Sequence, residues 1–221
     1  MKVLALALAL LLASPAAHAD AEAWKSWYGG FSVGATNARS SWTTDATLAS
    51  SPESVEHSAT DPVFGVQFGY RKRAAEHLRI GLEFAWHAAR IQKAAFSSQS
   101  INTEYTTRIH DPLSVAVQLG LASSRTLTYI RGGFAYAGIE LQAKNHNTGQ
   151  VAVWDEHATG WTAGAGFEVR VSRAWSLGLQ YDQSKLRAVN LGTVSNFGFG
   201  FSANNFETRL HTGLLRLNYN Y

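Results

Sequence analysis

Three observations predict an all-β fold. Eight stretches alternate apolar and polar residues with period two, the pattern of a strand with two unlike faces. The connections between them run long, short, long, short, long, short, long. The polar faces carry glycines and charges of both signs, which suit a narrow lumen better than a solvated sheet. Together they predict an eight-stranded antiparallel up-and-down transmembrane β-barrel, because such a strand sets lipid on one side and a polar interior on the other.

The chain opens with a leader. Met1 and Lys2 give a positive start, Val3 to Leu12 an apolar run, and Ala17-His18-Ala19 a small-x-small cleavage site. Residues 1–19 read as a cleaved signal peptide, since a helix that spans a bilayer needs ~20 apolar residues. Residues 20–221 form one domain. The absence of cysteine excludes a disulfide framework and a thiolate metal site. A net charge of +3 with one short cluster, Arg71-Lys72-Arg73, gives no basic stripe for nucleic acid. No cofactor and no metal site is expected.

The strands follow in order. Trp27 to Thr36 sets Trp27, Phe31, Val33 and Ala35 against Tyr28, Gly30, Ser32 and Gly34. Val63 to Arg71 sets Phe64, Val66, Phe68 and Tyr70 against Gly65, Gln67, Gly69 and Arg71. His77 to Ala89 turns Leu78, Ile80, Leu82, Phe84 and Trp86 outward, opposite Arg79, Gly81, Glu83 and His87. Arg108 to Leu121 has Leu113, Val115, Val117 and Leu119 on one face, and Pro112 near one end, where a missing donor is tolerated only at an edge or bulge.

The fifth, Thr126 to about Leu141, alternates least cleanly. Its Arg131 face is taken as interior, because arginine facing mid-bilayer costs ~2–4 kcal/mol. Gly160 to Val171 and Trp175 to Lys185 alternate well. In the last, Arg209 to Tyr221, the outward residues are Leu215, Leu217, Tyr219 and Tyr221, with Leu214 the one apolar intruder on the polar face. The polar segments at about 37–61, 92–107, 144–158 and 189–205 read as four extracellular loops.

Two aromatic belts are expected at the headgroup levels. Tyr70 and Trp175 lie by the short turns; Trp86, Tyr136, Trp161 and Tyr181 lie toward the long connections.

Several stretches resemble the small eight-stranded outer-membrane β-barrel family, the opacity-protein, porin-like and OmpA transmembrane-domain-like group of Gram-negative bacteria. They are Trp27-Tyr28-Gly29-Gly30-Phe31-Ser32-Val33-Gly34-Ala35, Gly132-Gly133-Phe134-Ala135-Tyr136, Gly160 to Glu168 with Trp175-Ser176-Leu177, and the terminal Arg216 to Tyr221. Tyr221 stands where the family usually ends in Phe. The resemblance implies an integral outer-membrane protein in contact with outer-membrane lipid and lipopolysaccharide. It also implies insertion by the barrel-assembly machinery through the terminal strand, with Leu215, Leu217, Tyr219 and Tyr221 as the signal.

For function, the lumen charges come first: Arg79, Glu83, Arg131, Glu168, Arg170, Asp182 and Arg216. Asp182 is expected to pair with Arg216, Arg131 with Glu168, and Glu83 with Arg79 or a base across the lumen. An eight-stranded lumen is filled by its own side chains, so the pairs are read as a plug, with a narrow porin-like channel as the alternative. A lipid A-modifying enzyme is the weaker reading: His87 and His110, with Ser114 and Glu83, match no defensible catalytic spacing. Phe197, Phe199 and Phe201 in the fourth loop are candidates to contact a surface ligand.

Overall fold

In the computed structural model the described residues are 24, 26–45, 54–96, 103–147, 149, 151–189, 193–194 and 201–221. The leader, Phe197 and Phe199 lie outside them. Ten strands follow in order: β1 (Ser26–Asp45), β2 (Ser54–Arg73), β3 (Leu78–Ala88), β4 (Arg90–Phe96), β5 (Thr103–Ala122), β6 (Thr126–Asn145), β7 (Val151–Arg170), β8 (Trp175–Val189), β9 (Thr193–Val194) and β10 (Phe201–Asn220). β3 and β4 form one stave, broken at Ala89, and both pair with β5. β9 is a two-residue addition to β10. Neighbouring staves are all antiparallel, and β1 pairs with β10 to close an eight-stave barrel. Tyr28 lies opposite Asn220 and Phe31 opposite Leu217 across that seam.

The four segments read as loops are shorter than expected. β1 continues through residue 45 and β2 begins at residue 54, and the other three long hairpins extend likewise. Their backbone groups are satisfied by the ladder whatever the side chains are. A Ser- and Thr-rich sequence therefore conceals strand where both faces lack the lipid-facing pattern. Inward Ser40 and Thr208 share a 2.9 Å hydrogen bond across the seam, as do Thr36 and Thr212.

These extensions also reverse the barrel's polarity. Near the short turns the outward side chains are apolar: Phe31, Phe64, Leu82, Val117, Phe134, Leu179 and Leu215 are exposed. Inward are Gln67, Arg71, Glu83, Gln118, Arg131, Glu168 and Arg216. Toward the long hairpins the interior becomes a hydrophobic core of Val63, Ile91, Ile109, Ile139, Leu141, Leu186, Phe206, Leu210 and Leu214, among others. Outward there are Arg39, Arg108, Glu140, Lys185, Arg187, Glu207 and Arg209. Leu214, the intruder in the last strand, belongs to this core. The fifth expected strand alternated poorly because β6 makes the change between Phe134, which is exposed, and Ala135, which is buried.

A 20-residue stave is ~66 Å long at ~3.3 Å per residue. At a tilt of ~40° it rises ~50 Å along the axis, about twice the ~25 Å apolar band of an outer-membrane barrel. Half of the wall is therefore a barrel built for water outside and oil inside.

Candidate functional site

The lumen holds the only dense set of buried charges among the described residues. At its centre Arg71 of β2 crosses to Glu168 of β7, with Nη2 donating to Oε1 at 2.6 Å and Nη1 to Oε2 at 3.2 Å. Ser176 donates to the same Oε2 at 3.2 Å. The Arg71 guanidinium lies 3.9 Å from the centroid of the Tyr28 ring, a cation–π contact inside a dry site. Tyr28 in turn donates to Glu83 Oε2 at 2.7 Å, and Gln118 Nε2 does so at 3.0 Å.

Glu83 of β3 is the second node. Arg216 of β10 donates to its Oε2, and Arg131 Nη1 of β6 lies 2.9 Å from its Oε1. The same Arg131 nitrogen is 3.4 Å from Asp182 Oδ2, while Nη2 donates to Ser114 at 3.0 Å. Arg216 also reaches the Tyr129 hydroxyl at 2.8 Å and Gln180. Gln180 completes the loop by donating to Asp182 at 2.6 Å. Three arginines, Arg71, Arg131 and Arg216, thus face three carboxylates, Glu83, Glu168 and Asp182. The formal charge cancels, the condition under which buried ions are tolerable.

Glycines make the space. A Cβ at Gly69 would strike the Tyr28 ring, and one at Gly166 the Tyr129 ring. Both tyrosines can lie across the lumen only because the wall behind them has no side chain.

Two of the expected pairings need correction. Asp182 faces Thr212, and Arg216 faces Gly178, so these two do not meet; Arg216 crosses the lumen to Glu83 instead. Arg131 faces Gly164, while Glu168 sits opposite Leu127 at a lower level, so Arg131 takes Glu83 and Asp182. Arg79 donates to the carbonyls of Leu78 at 3.0 Å and Ala75 at 3.2 Å in the adjoining turn. Arg170 stands near the short-turn mouth. It donates to the Arg173 carbonyl and lies 5.6 Å from the Trp24 ring.

His110, expected inside beside His87, points out. Strand β5 bulges between His110 and Leu113, where Asp111 adopts φ 51°, and one extra residue reverses the facing of all that follows. His87 is buried inward and His110 is outward beside Asp111, 3.4 Å away, so no catalytic pair forms.

Arg71, Tyr28, Tyr129, Gln118 and Gln180 were not singled out from sequence. Their parity carried the signal, since Arg71 alternates with Gly65, Gln67 and Gly69 and Tyr28 with Gly30 and Ser32. Trp24 was also missed. Its Nε1 donates to the Ser123 carbonyl at 2.9 Å, and its ring packs on Ala122, Leu127 and Tyr129 to close the short-turn mouth.

The outward aromatics sit in two groups. Trp27 meets Phe68 and Tyr70 at 5.2 and 4.8 Å between centroids, and Trp175 meets Tyr219 at 5.1 Å. At the other level Tyr136 meets His157 at 5.2 Å, and the Tyr181 hydroxyl lies 2.7 Å from His211 Nδ1; Trp86 and Trp161 are exposed there. Phe201 opens β10 opposite Val194.

The closed wall with its greasy exterior agrees with the family whose model matches residues 5–204, described as the outer membrane protein beta-barrel domain. The chain belongs to that family. As an outer-membrane β-barrel it is located in the outer membrane. It is 28% identical over 163 residues to the 31 kDa outer-membrane immunogenic protein of Brucella melitensis biotype 1, covering 72% of this chain and 66% of that protein. Among solved structures, the outer membrane protease OmpT from Escherichia coli aligns over 90% of this chain and 97% of its own, with TM-score 0.55 and 8% identity. OprG from Pseudomonas aeruginosa aligns over 89% and 96%, with TM-score 0.47 and 13% identity. At 8% identity the likeness to OmpT is one of fold.

Proposed function

We propose that this outer-membrane barrel is closed to solutes and works as an envelope component through its outward surfaces. The observation that supports this is the double filling of the lumen. A neutral ion and hydrogen-bond network blocks the half inside the apolar band, and a hydrophobic core fills the half beyond it. The cavity between the two is only about 40 Å³ and is lined in part by Thr36, His87, Thr162, Asp182 and Thr212. That is room for a few waters, not for a hydrated solute. On this reading the short turns face the periplasm and the long hairpins the exterior, the arrangement general to such barrels. The projecting half is then a rigid stalk for surface contact, in keeping with relatives named as immunogenic outer-membrane proteins. No catalytic role is assigned, because the histidines considered for one lie on opposite faces of the wall.

The test is planar-bilayer recording of the refolded protein. The closed reading expects no stable unitary steps above the bare-membrane baseline. Reproducible large steps would establish the channel reading in its place.

A further inference from the structure

The ladder that closes the barrel does not run the full height of the wall. Among the described residues β2 and β3 part above the pair of Phe64 and Ala88, and β4, which continues that stave, pairs only with β5. On another side β7 and β8 part above the pair of Thr159 and Arg187. The projecting half is therefore two sheets, β4-β5-β6-β7 and β8-β10-β1-β2, facing each other across the hydrophobic core. Their borders are sheet edges, and the unpaired N–H and C=O groups of an edge are a template for another strand.

These edges are not equally open. β2 carries Pro62 on its border, which has no N–H to donate. β4 carries Lys93, a charge of the kind that blunts an edge, and these two borders lie close to each other. β8 ends at Val189, just beyond Arg187. The border of β7 has no such guard. Its residues 151–158 pair with β6 in unbroken register on one side, and with no described strand on the other. That is ~26 Å of strand at ~3.3 Å per residue, without proline, lysine or bulge. Alternate residues along it direct both N–H and C=O to the open side. The complement of such a row is one chemical class, an extended polypeptide.

The side chains narrow that class. Val151 and Val153 are exposed on the outward face, and Asp155 follows them there, opposite Glu140. Glu140 is held by Arg108. Asp155 and Glu156 are both exposed and have no ion-pair partner among the described residues. A strand added antiparallel to β7 sets its alternate side chains directly against these, so apolar residues match the two valines and basic residues the two carboxylates.

We propose that the open edge of β7, residues 151–158, binds an extended polypeptide segment as a fifth strand of the β4-β5-β6-β7 sheet. The segment runs antiparallel to β7, with basic residues toward its amino end and alternating apolar residues toward its carboxyl end. The inference deepens the surface-contact reading and rests on it for the side of the membrane that the edge faces.

The experiment uses the refolded full chain in phosphocholine nanodiscs, which leave both ends of the barrel accessible. The probe is a synthetic peptide of two lysines followed by alternating threonine and valine. Saturable backbone NMR shifts should appear in β7 and β6, and the open-side amides of residues 151–158 should exchange about tenfold more slowly once the strand is added. N-methylation of the peptide amides that face β7 removes several main-chain hydrogen bonds and should weaken binding at least about tenfold. Val153→Lys/Asp155→Lys, which sets like charges against the lysines, should weaken it by about as much. Arg39→Gln, in the other sheet, should leave it unchanged. Undiminished binding of the N-methylated peptide or by the double variant overturns the proposal, as does the absence of shifts at millimolar peptide. Slow exchange of the open-side amides before peptide is added also overturns it, because the edge would then be covered by the chain itself. The same peptide, made fluorescent, is then applied to intact cells that display the protein. Binding in nanodiscs without binding to cells refutes the outward orientation and leaves the edge pairing standing, so the two readings fail separately.

Discussion

Replacing Glu168 by Gln keeps the shape of the side chain and removes one charge. Glu168 is fully buried and accepts two bonds from Arg71 and one from Ser176. The substitution leaves Arg71, 2% exposed, as an unbalanced cation in a network that was neutral. Breaking a buried pair on one side costs ~3–5 kcal/mol. The amide oxygen still accepts one bond, which sets the expected loss near ~3 kcal/mol. Removing both charges, with Arg71→Met/Glu168→Leu, should cost far less and lie within ~1 kcal/mol of wild type or above it. The assay is reversible urea unfolding from lipid vesicles, followed by tryptophan fluorescence, on Glu168→Gln and on the double variant. A loss below ~1 kcal/mol for Glu168→Gln, the range of a solvated pair, would show that water reaches Arg71. The sealed lumen would then be wrong.

Three further expectations follow from other parts of the barrel. Ile139→Ala in the apolar half should lower stability by ~2–4 kcal/mol and speed amide exchange in the long-hairpin halves of β5, β6 and β7 ahead of their membrane halves. Gly166→Ala drives a Cβ into the Tyr129 ring. It should cost ~1–3 kcal/mol as overpacking, largely restored by Tyr129→Leu in the same chain. Glu207 should titrate near pH 2, below its ordinary 4.5, as read from its carboxyl carbon shift. A depressed carboxylate contributes stability above its unfolded pKa and loses it as pH falls from about 4.5 through about 2. Because its partners Lys185, Arg187 and Arg209 face solvent, molar salt should move the midpoint back up.

The membrane half was legible because lipid enforces parity. From Phe64 to Tyr70 and from Leu215 to Tyr221, each alternate residue must be apolar, and the period of two stands out. Glycines and charges on the other face marked the interior. What stayed hidden were the partners, because a cross-lumen contact such as Arg216 with Glu83 joins β10 to β3 and depends on shear, which no single strand encodes. His110 misled because one bulge residue near Pro112 reverses facing without altering composition. The extensions over residues 37–45 and 103–107 read as loops because outside lipid an outward Thr, Ser or Arg is as acceptable on a strand as in a loop.

Reversal of polarity along one stave explains why the barrel does not simply end at the membrane surface. A polar lumen carried ~25 Å further would need many more balanced ions, each with a desolvation cost that only close pairing offsets. Apolar side chains such as Ile109, Ile139, Leu186 and Phe206 fill the same volume with a favourable ~25 cal/mol per Å² of buried area. That choice requires water outside, since an oily interior with an oily exterior would leave the outward charges in lipid. The level at which β6 changes from Phe134 outward to Ala135 inward, and β10 from Leu215 outward to Leu214 inward, therefore fixes how deep the barrel sits. Substituting Arg209 or Lys185 by leucine would extend the greasy wall upward, and the barrel should then ride lower in the bilayer. Lipid-quenching of a single tryptophan kept at Trp161 would register that shift, and an unchanged depth would mean that something other than the polarity of the wall sets it.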